Sequence, residues 1–98
     1  MKKVSIIIAT YNRAQYIIET LKSIQNQSYQ FWECLIIDDG STDITEELVL
    51  HFLINDDRFL FYKRPENLGK GANVCRNYGY RLSNGEYLKF FDSDDIML

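Results

Sequence analysis

Val4-Ser5-Ile6-Ile7-Ile8-Ala9-Thr10-Tyr11-Asn12-Arg13 opens the chain, and the reading of this stretch decides the fold. From Val4 to Ile8 it carries β-branched residues on both faces of an extended strand. An amphipathic sheet facing water would alternate apolar with polar; a strand apolar on both faces belongs in the middle of a parallel sheet covered by helices on each side. At Thr10-Tyr11-Asn12 the composition turns polar at once. Asn12 is placed to cap a helix, with Gln15 at the capping-box position three residues on. That helix is expected to run to about Gln27, with Tyr16, Ile17, Thr20, Leu21 and Ile24 along one side.

The same alternation repeats downstream. Trp32 to Ile37 reads as a second buried strand ending in Asp38-Asp39-Gly40. Asp43, with Glu46 three residues later, reads as the cap of a helix whose apolar stripe is Leu48, Val49, Phe52 and Leu53. Phe59 to Tyr62 is a third strand, followed by a loop over Arg64-Pro65-Glu66-Asn67. Gly69 or Gly71 opens a third helix with Ala72, Cys75, Gly79 and Leu82 on one closely packing face. Asn84-Gly85 makes a turn, and Glu86 to Phe91 is a fourth strand. No repeat, linker or low-complexity segment interrupts the pattern. Alternating strands and helices specify an α/β architecture: an open, mostly parallel sheet of about four strands with flanking helices, Rossmann-like in its winding.

Size and charge narrow the function. The 98 residues make one domain, 1–98, with 46% hydrophobic and 26% charged residues. A chain of this length buries roughly two-thirds of its unfolded surface, enough for a modest core. The net charge of −3 with no Lys/Arg cluster argues against nucleic acid as the main partner. Cys34 and Cys75 lie in apolar segments without CxxC or His spacing, as free core thiols of a reducing compartment do. Lys2-Lys3 precede an apolar run, Val4 to Ala9, that is too short for a signal peptide or a membrane span. The expected location is the cytoplasm, with a longer parent free to be membrane-associated. His51 has no ligand partner at i+3 or i+4 and reads as a surface histidine; Phe31-Trp32, Phe59-Phe61 and Phe90-Phe91 read as core.

In open parallel sheets ligands bind outside the carboxyl ends of the strands. Three such ends carry ligand chemistry: Thr10-Tyr11-Asn12, Asp38-Asp39 and Asp92-Ser93-Asp94-Asp95. Each has a structural alternative. Asp-Gly turn chemistry and the Asp43 cap explain much of Asp38 to Asp43, but not why two carboxylates follow a buried strand directly. One of them can accept hydrogen bonds from a ligand N–H or hydroxyl. Tyr11 either packs at the sheet edge or stacks on a flat base, with the Thr10 backbone bonding beside it. Asn67-Leu68-Gly69-Lys70-Gly71 is no Walker loop, because Gly-x-x-x-x-Gly-Lys-Ser/Thr is absent. A helix N-terminus beside Lys70 nevertheless suits a diphosphate. One aspartate would suffice to cap a turn after Phe91, whereas three in four residues repel one another and call for a hard cation such as Mg²⁺ or Mn²⁺.

With the three strand ends in place, the chain resembles the family 2 glycosyltransferases of the GT-A fold. The resemblance rests on Val4 to Arg13, Ile36 to Asp43, Asn67-Leu68-Gly69, Arg76-Asn77-Tyr78-Gly79, Gly85-Glu86-Tyr87 and Phe91 to Asp95, in that order and spacing. It implies an enzyme using a nucleotide-diphosphate sugar donor, commonly UDP-linked, with Mg²⁺ or Mn²⁺. It also implies inversion by direct displacement, with a carboxylate base deprotonating a carbohydrate or lipid-linked acceptor, as in polysaccharide biosynthesis. Carried over by position, Thr10 and Tyr11 line the base pocket and Asp39 bonds to the base. Asp92 and Asp94 form the Asp-x-Asp motif, Asp92 facing ribose and metal and Asp94 holding the metal; Asp95 stands near the metal or the sugar. Members of the family are considerably longer, and their acceptor-binding half and base lie beyond the Asp-x-Asp. The chain is therefore expected to be the donor-binding part of a truncated GT-A domain, inactive alone, with the open edge of its fourth strand prone to self-association.

Four other classes compete with this reading. A non-catalytic nucleotide- or metal-binding module remains the alternative. A nucleotidyltransferase would carry a Gly-rich basic loop after the first strand. A phosphoacceptor receiver domain would carry acidic residues there. A dinucleotide-binding oxidoreductase would carry Gly-x-Gly-x-x-Gly. Thr10-Tyr11-Asn12-Arg13 is none of these.

Overall fold

The computed structural model describes residues 2–93. Strands β1 (Val4–Thr10), β2 (Trp32–Asp38), β3 (Phe59–Lys63) and β4 (Tyr87–Asp92) form one sheet in the order β3-β2-β1-β4. All three pairings are parallel, with Ile7 level with Leu35 on one side and Phe90 on the other. Helices α1 (Ile17–Gln25), α2 (Thr45–Leu53) and α3 (Ala72–Leu82) alternate with the strands, and a 3₁₀ turn over Glu66–Leu68 precedes α3. The double-sided apolar reading of β1 thus holds: it is central, flanked by β2 and β4. The strand order reverses at β1, and ligands in such folds sit at that reversal.

Strand alternation divides the core in two. On one side Ile6 and Ile8 of β1, Cys34 and Ile36 of β2 and Phe59 of β3 pack with Ile17, Leu21 and Ile24 of α1 and Val49 of α2. On the other, Ile7, Leu35 and Ile37 meet Cys75 of α3 in a smaller cluster. The helix seats closely there because Gly79 has no side chain: a Cβ would lie 2.7 Å from Ile7 Cγ2 and 3.3 Å from Ile37 Cγ1. At the amino ends of the strands, buried Glu33 accepts the Ser5 hydroxyl at 2.6 Å and the Asn84 N–H at 2.8 Å. The Gly85 N–H binds Ser5 Oγ at 2.8 Å, so this buried carboxylate serves to lock the turn into β4.

Several expectations need correction. Helix α1 begins at Ile17 rather than just after Asn12, and it ends at Gln25 rather than Gln27. Asn12 adopts φ 50°, a left-handed conformation that asparagine tolerates, and caps nothing in α1. Tyr16 is exposed, whereas Ile17, Thr20, Leu21 and Ile24 are buried as expected. The N-cap of α2 is Ile44 rather than Asp43; Asp43, one residue before it, accepts the Thr45 N–H at 2.9 Å, and Glu46 pairs with Lys63 at 2.8 Å instead of closing a capping box. On α3 only Cys75 and Gly79 are buried; Ala72 and Leu82 are exposed.

Strand β4 is not buried. It is an edge strand, and Tyr87, Leu88 and Phe90 are 57%, 40% and 47% exposed, because α3 covers β1 and β2 instead. Only Phe91 of the Phe90-Phe91 pair packs against the larger core. Phe31 is likewise exposed while Trp32 is buried against Phe59. Both cysteines are free and buried, and His51 is exposed. Among the described residues no helix is long and apolar enough to cross a membrane.

Candidate functional site

The face covered by α3 carries Ser5, Ile7 and Ala9 of β1, Leu35 and Ile37 of β2, Leu60 and Tyr62 of β3, and Leu88 and Phe90 of β4. Continuing each strand by two residues per step on this face reaches Tyr11, Asp39, Arg64 and Asp92. The chemistry of all four strand ends therefore gathers beside the N-terminus of α3. A cavity of about 200 Å³ opens there, lined by Ala9, Thr10, Tyr11, Arg13, Asp39, Ala72 and Ser93.

The two adjacent carboxylates divide cleanly. Asp38 is buried and turns back into its own loop, accepting the N–H groups of Gly40 at 3.1 Å and Ser41 at 2.8 Å and the Ser41 hydroxyl. It builds the turn. Asp39 points to the α3 side. Its Oδ1 accepts Arg64 Nε at 2.5 Å, and the Gly71 N–H reaches Oδ1 at 3.3 Å and Oδ2 at 3.1 Å. The Cys75 thiol lies against the same carboxylate; burial first, and then the charge of Asp39, push that thiol up to about 12.

The loop after β1 is stitched to the loop after β2. Asn12 Oδ1 accepts the N–H of Thr42 at 2.7 Å and of Asp43 at 3.2 Å, while its own N–H goes to Ser41 Oγ at 2.9 Å. The Arg13 N–H reaches Thr45 Oγ1 at 3.0 Å. The Asp39 N–H binds the Thr10 carbonyl at 2.9 Å. Thr10 thus spends its carbonyl on the protein. Its hydroxyl, on the α1 side by strand alternation, is buried without a partner among the described residues. These bonds fix Tyr11 between the two loops. Lys70 Nζ lies 5.0 Å from the centre of the Tyr11 ring, within cation–π range.

Asp92 sits level with Ala9 at the end of β4, its side chain 62% exposed, with Arg76 Nη2 at 3.4 Å from Oδ1. So exposed a pair is worth little to stability, which leaves the carboxylate free to exchange partners. Next to it, the Ser93 carbonyl accepts the Thr20 hydroxyl at 2.9 Å, which anchors the strand end to α1. Asp94 and Asp95 lie outside the described residues, and among the described residues no group of three His, Cys, Asp or Glu gathers as a metal cage. An exposed carboxylate oxygen at a strand end is nevertheless the donor type that Mg²⁺ and Mn²⁺ take.

Thr10, Tyr11 and Asp39 are thus brought to one cavity, with Lys70 over Tyr11 and Asp92 at the neighbouring strand end. Sequence reasoning passed over Arg13, Arg64 and Arg76. The signal for Arg64 was present: it follows β3 as Asp39 follows β2, at the same strand-end position.

A family model described as "Glycosyl transferase family 2" matches residues 5–98. The GalNAc(5)-diNAcBac-PP-undecaprenol beta-1,3-glucosyltransferase of Campylobacter jejuni is 36% identical over 98 residues, covering 100% of this chain and 31% of that protein. Residues 1–349 of Staphylococcus aureus TarS, solved in complex with UDP-GlcNAc, share 31% identity at a TM-score of 0.82 over 96% of this chain and 27% of that one. The mannosyltransferase PcManGT of Pyrobaculum calidifontis, solved with GDP-Man and Mn²⁺, shares 28% identity at a TM-score of 0.83 over 95% of this chain and 28% of that one. The chain spans between 13% and 38% of the length of curated relatives it matches.

Proposed function

The chain belongs to glycosyl transferase family 2, and on that premise we propose that it is the donor-binding part of an inverting glycosyltransferase. The donor is a nucleotide-diphosphate sugar, uridine-linked, and the acceptor a carbohydrate or lipid-linked hydroxyl. One observation carries the proposal: Tyr11, Asp39, Lys70 and Asp92, from four separate segments, converge beside the N-terminus of α3. TarS and PcManGT, solved with UDP-GlcNAc and GDP-Man, support a sugar nucleotide as the ligand class.

In this reading Tyr11 stacks on the base, the Thr10 main chain forms the pocket wall, and Asp39 accepts a ring N–H. Lys70 leaves the Tyr11 ring to meet the diphosphate. Asp92 would turn from Arg76 toward the ribose and, with Asp94, would hold a divalent cation. Bound there, Mg²⁺ or Mn²⁺ supplies Lewis-acid stabilisation of the charge that develops on the leaving diphosphate. The Mn²⁺ bound in PcManGT supports that choice of ion. None of the described carboxylates is assigned the role of acceptor base. A chain spanning between 13% and 38% of its relatives' length is proposed to bind donor without transferring sugar, and to do so in the cytoplasm.

Calorimetric titration of the chain with UDP, with and without Mn²⁺, tests this. UDP should bind and Mn²⁺ should tighten it; Asp92→Asn should remove the Mn²⁺ effect and spare metal-free binding. A chain that ignores UDP in both conditions would overturn the assignment. Acceptor-dependent sugar transfer at rates typical of enzymes would overturn the inactivity, whereas binding alone is what a non-catalytic module would also show.

A further inference from the structure

The structure assigns Arg64 as the positioning residue of base recognition: it sets the orientation of the Asp39 carboxylate, so that a nucleotide base offering a ring N–H is selected over one offering a bare ring nitrogen. This rests on the proposed reading that Asp39 faces the base. Arg64 shares the strand-end position of Asp39 but does not line the cavity that Asp39 lines. It lines the neighbouring one, of about 460 Å³, with Asp38, Ser41 and Glu66. Its guanidinium thus meets Asp39 from the side of that second cavity.

The guanidinium is held at two points. Nε donates to Asp39 Oδ1 at 2.5 Å and Nη1 to the Pro65 carbonyl at 3.0 Å. Both partners of the ion pair are nearly enclosed, with side chains 8% and 13% exposed, so water does not compete for the contact as it does at the surface. The Arg64 main chain is fixed too, since its N–H binds the Asp38 carbonyl at 2.8 Å. Arginine fits this place because its planar fork serves two acceptors in fixed directions, which a lysine ammonium does not.

The consequence lies in which lone pairs remain. A carboxylate offers two oxygens and about four acceptor positions. Arg64 takes Oδ1, and the Gly71 N–H straddles both oxygens. What is left of Oδ2 accepts and cannot donate. Uracil N3–H and guanine N1–H satisfy it; cytosine N3 and adenine N1 present a lone pair against it. Removing Arg64 leaves the carboxylate with the Gly71 N–H and the Cys75 thiol, neither of which fixes its direction as the guanidinium does, and the directional preference weakens with it.

The test compares UDP and CDP binding to the whole chain by calorimetry, for wild type, Arg64→Met, Arg64→Lys and Asp39→Asn. Wild type should prefer UDP, and Asp39→Asn should lose or reverse that preference because an amide can donate to cytosine. Arg64→Met should cut the UDP:CDP ratio about tenfold or more by weakening UDP while CDP stays unchanged. Arg64→Lys should restore part of the ratio. Equal weakening of both nucleotides in Arg64→Met, or an unchanged ratio there beside a collapsed one in Asp39→Asn, refutes the positioning role and leaves the base-reading role of Asp39 standing. A wild-type chain with no preference refutes that reading itself, and the inference with it. If circular dichroism shows Arg64→Met unfolded, Arg64→Lys decides: a lowered ratio supports the inference and the wild-type ratio refutes it.

Discussion

Replacing Gly79 with alanine sets two effects of opposite sign against each other on the helix that frames the site. Alanine in a helix interior is worth about 1 kcal/mol more than glycine, so on an exposed face the change would stabilise. Gly79 faces the sheet. The new methyl carbon would lie 2.7 Å from Ile7 Cγ2 and 3.3 Å from Ile37 Cγ1, both on fully buried residues. Cγ2 is attached directly to a β-branched carbon in the central strand and has few rotamers to retreat into. Relief therefore requires α3 to move outward, and such overpacking costs about 1–3 kcal/mol. At 2.7 Å the upper half of that range applies, leaving a net loss of about 1–2 kcal/mol. For a domain of this size each kcal/mol lowers Tm by about 4–8 °C. Urea unfolding followed through the single tryptophan, buried Trp32, reads the loss as a lower midpoint at unchanged slope. Asn77→Ala, on the exposed side of α3, is the control and should stabilise by about 0.5 kcal/mol. The displaced helix also draws the Gly71 N–H from Asp39, so UDP should bind more weakly in Gly79→Ala than in Asn77→Ala. A Gly79→Ala chain more stable than its parent would show that α3 does not rest on the sheet as described.

Two further outcomes follow from local chemistry. Arg58 holds the Asp56 carboxyl down, from 3.8 to about 2, through hydrogen bonds of 3.0 Å from Nε and 2.8 Å from Nη2. Because the folded value lies below the unfolded one, this stabilisation is complete above about pH 3.8 and is lost as pH falls toward 2. Urea midpoints across that window should fall less steeply in Arg58→Leu than in wild type, and parallel curves would dismiss the pair. We also propose that the edge of β4, unpaired among the described residues and with Leu88 and Phe90 exposed, pairs with a second copy. Light scattering should show a mass rising with concentration that Phe90→Lys suppresses; a monomer at every concentration would count against it.

The alternation of strand and helix was legible because it depends on burial, and burial writes itself into composition. Val4 to Ile8 could only be a central strand, and it is one. The errors occur where a polar residue had two local uses. Asn12 has the composition of a helix cap, but its side-chain Oδ1 accepts from the loop after β2, thirty residues away, and nothing within its own segment distinguishes the two partners. Phe90 has the composition of core. Its exposure follows from where α3 lands, and the position of Gly79 fixes that against Ile7 and Ile37 rather than against β4. Arg64 was invisible for the complementary reason: an arginine before a proline reads as a solvated loop residue until its strand-end position is matched to that of Asp39.

That matching also resolves the pair Asp38-Asp39, which sequence left divided between turn and ligand. The side-chain period of a strand is two, so neighbours at a strand end cannot serve the same face. One of two consecutive carboxylates must fall on the α1 and α2 side and the other on the α3 side. Asp38 continues the series Cys34, Ile36, which packs under α1 and α2, and its carboxylate closes the turn toward Ser41. Asp39 continues Leu35, Ile37, which packs under α3, and so arrives where Tyr11, Arg64 and Gly71 already are. The same rule separates Thr10 from Tyr11 and sends Asp92 to the α3 face with Phe90. A register slip of one residue in β2 would exchange the roles of the two aspartates and leave Arg64 without its partner. Thus the core that fixes the register, Ile36 on one side and Ile37 on the other, also selects the carboxylate that meets the ligand.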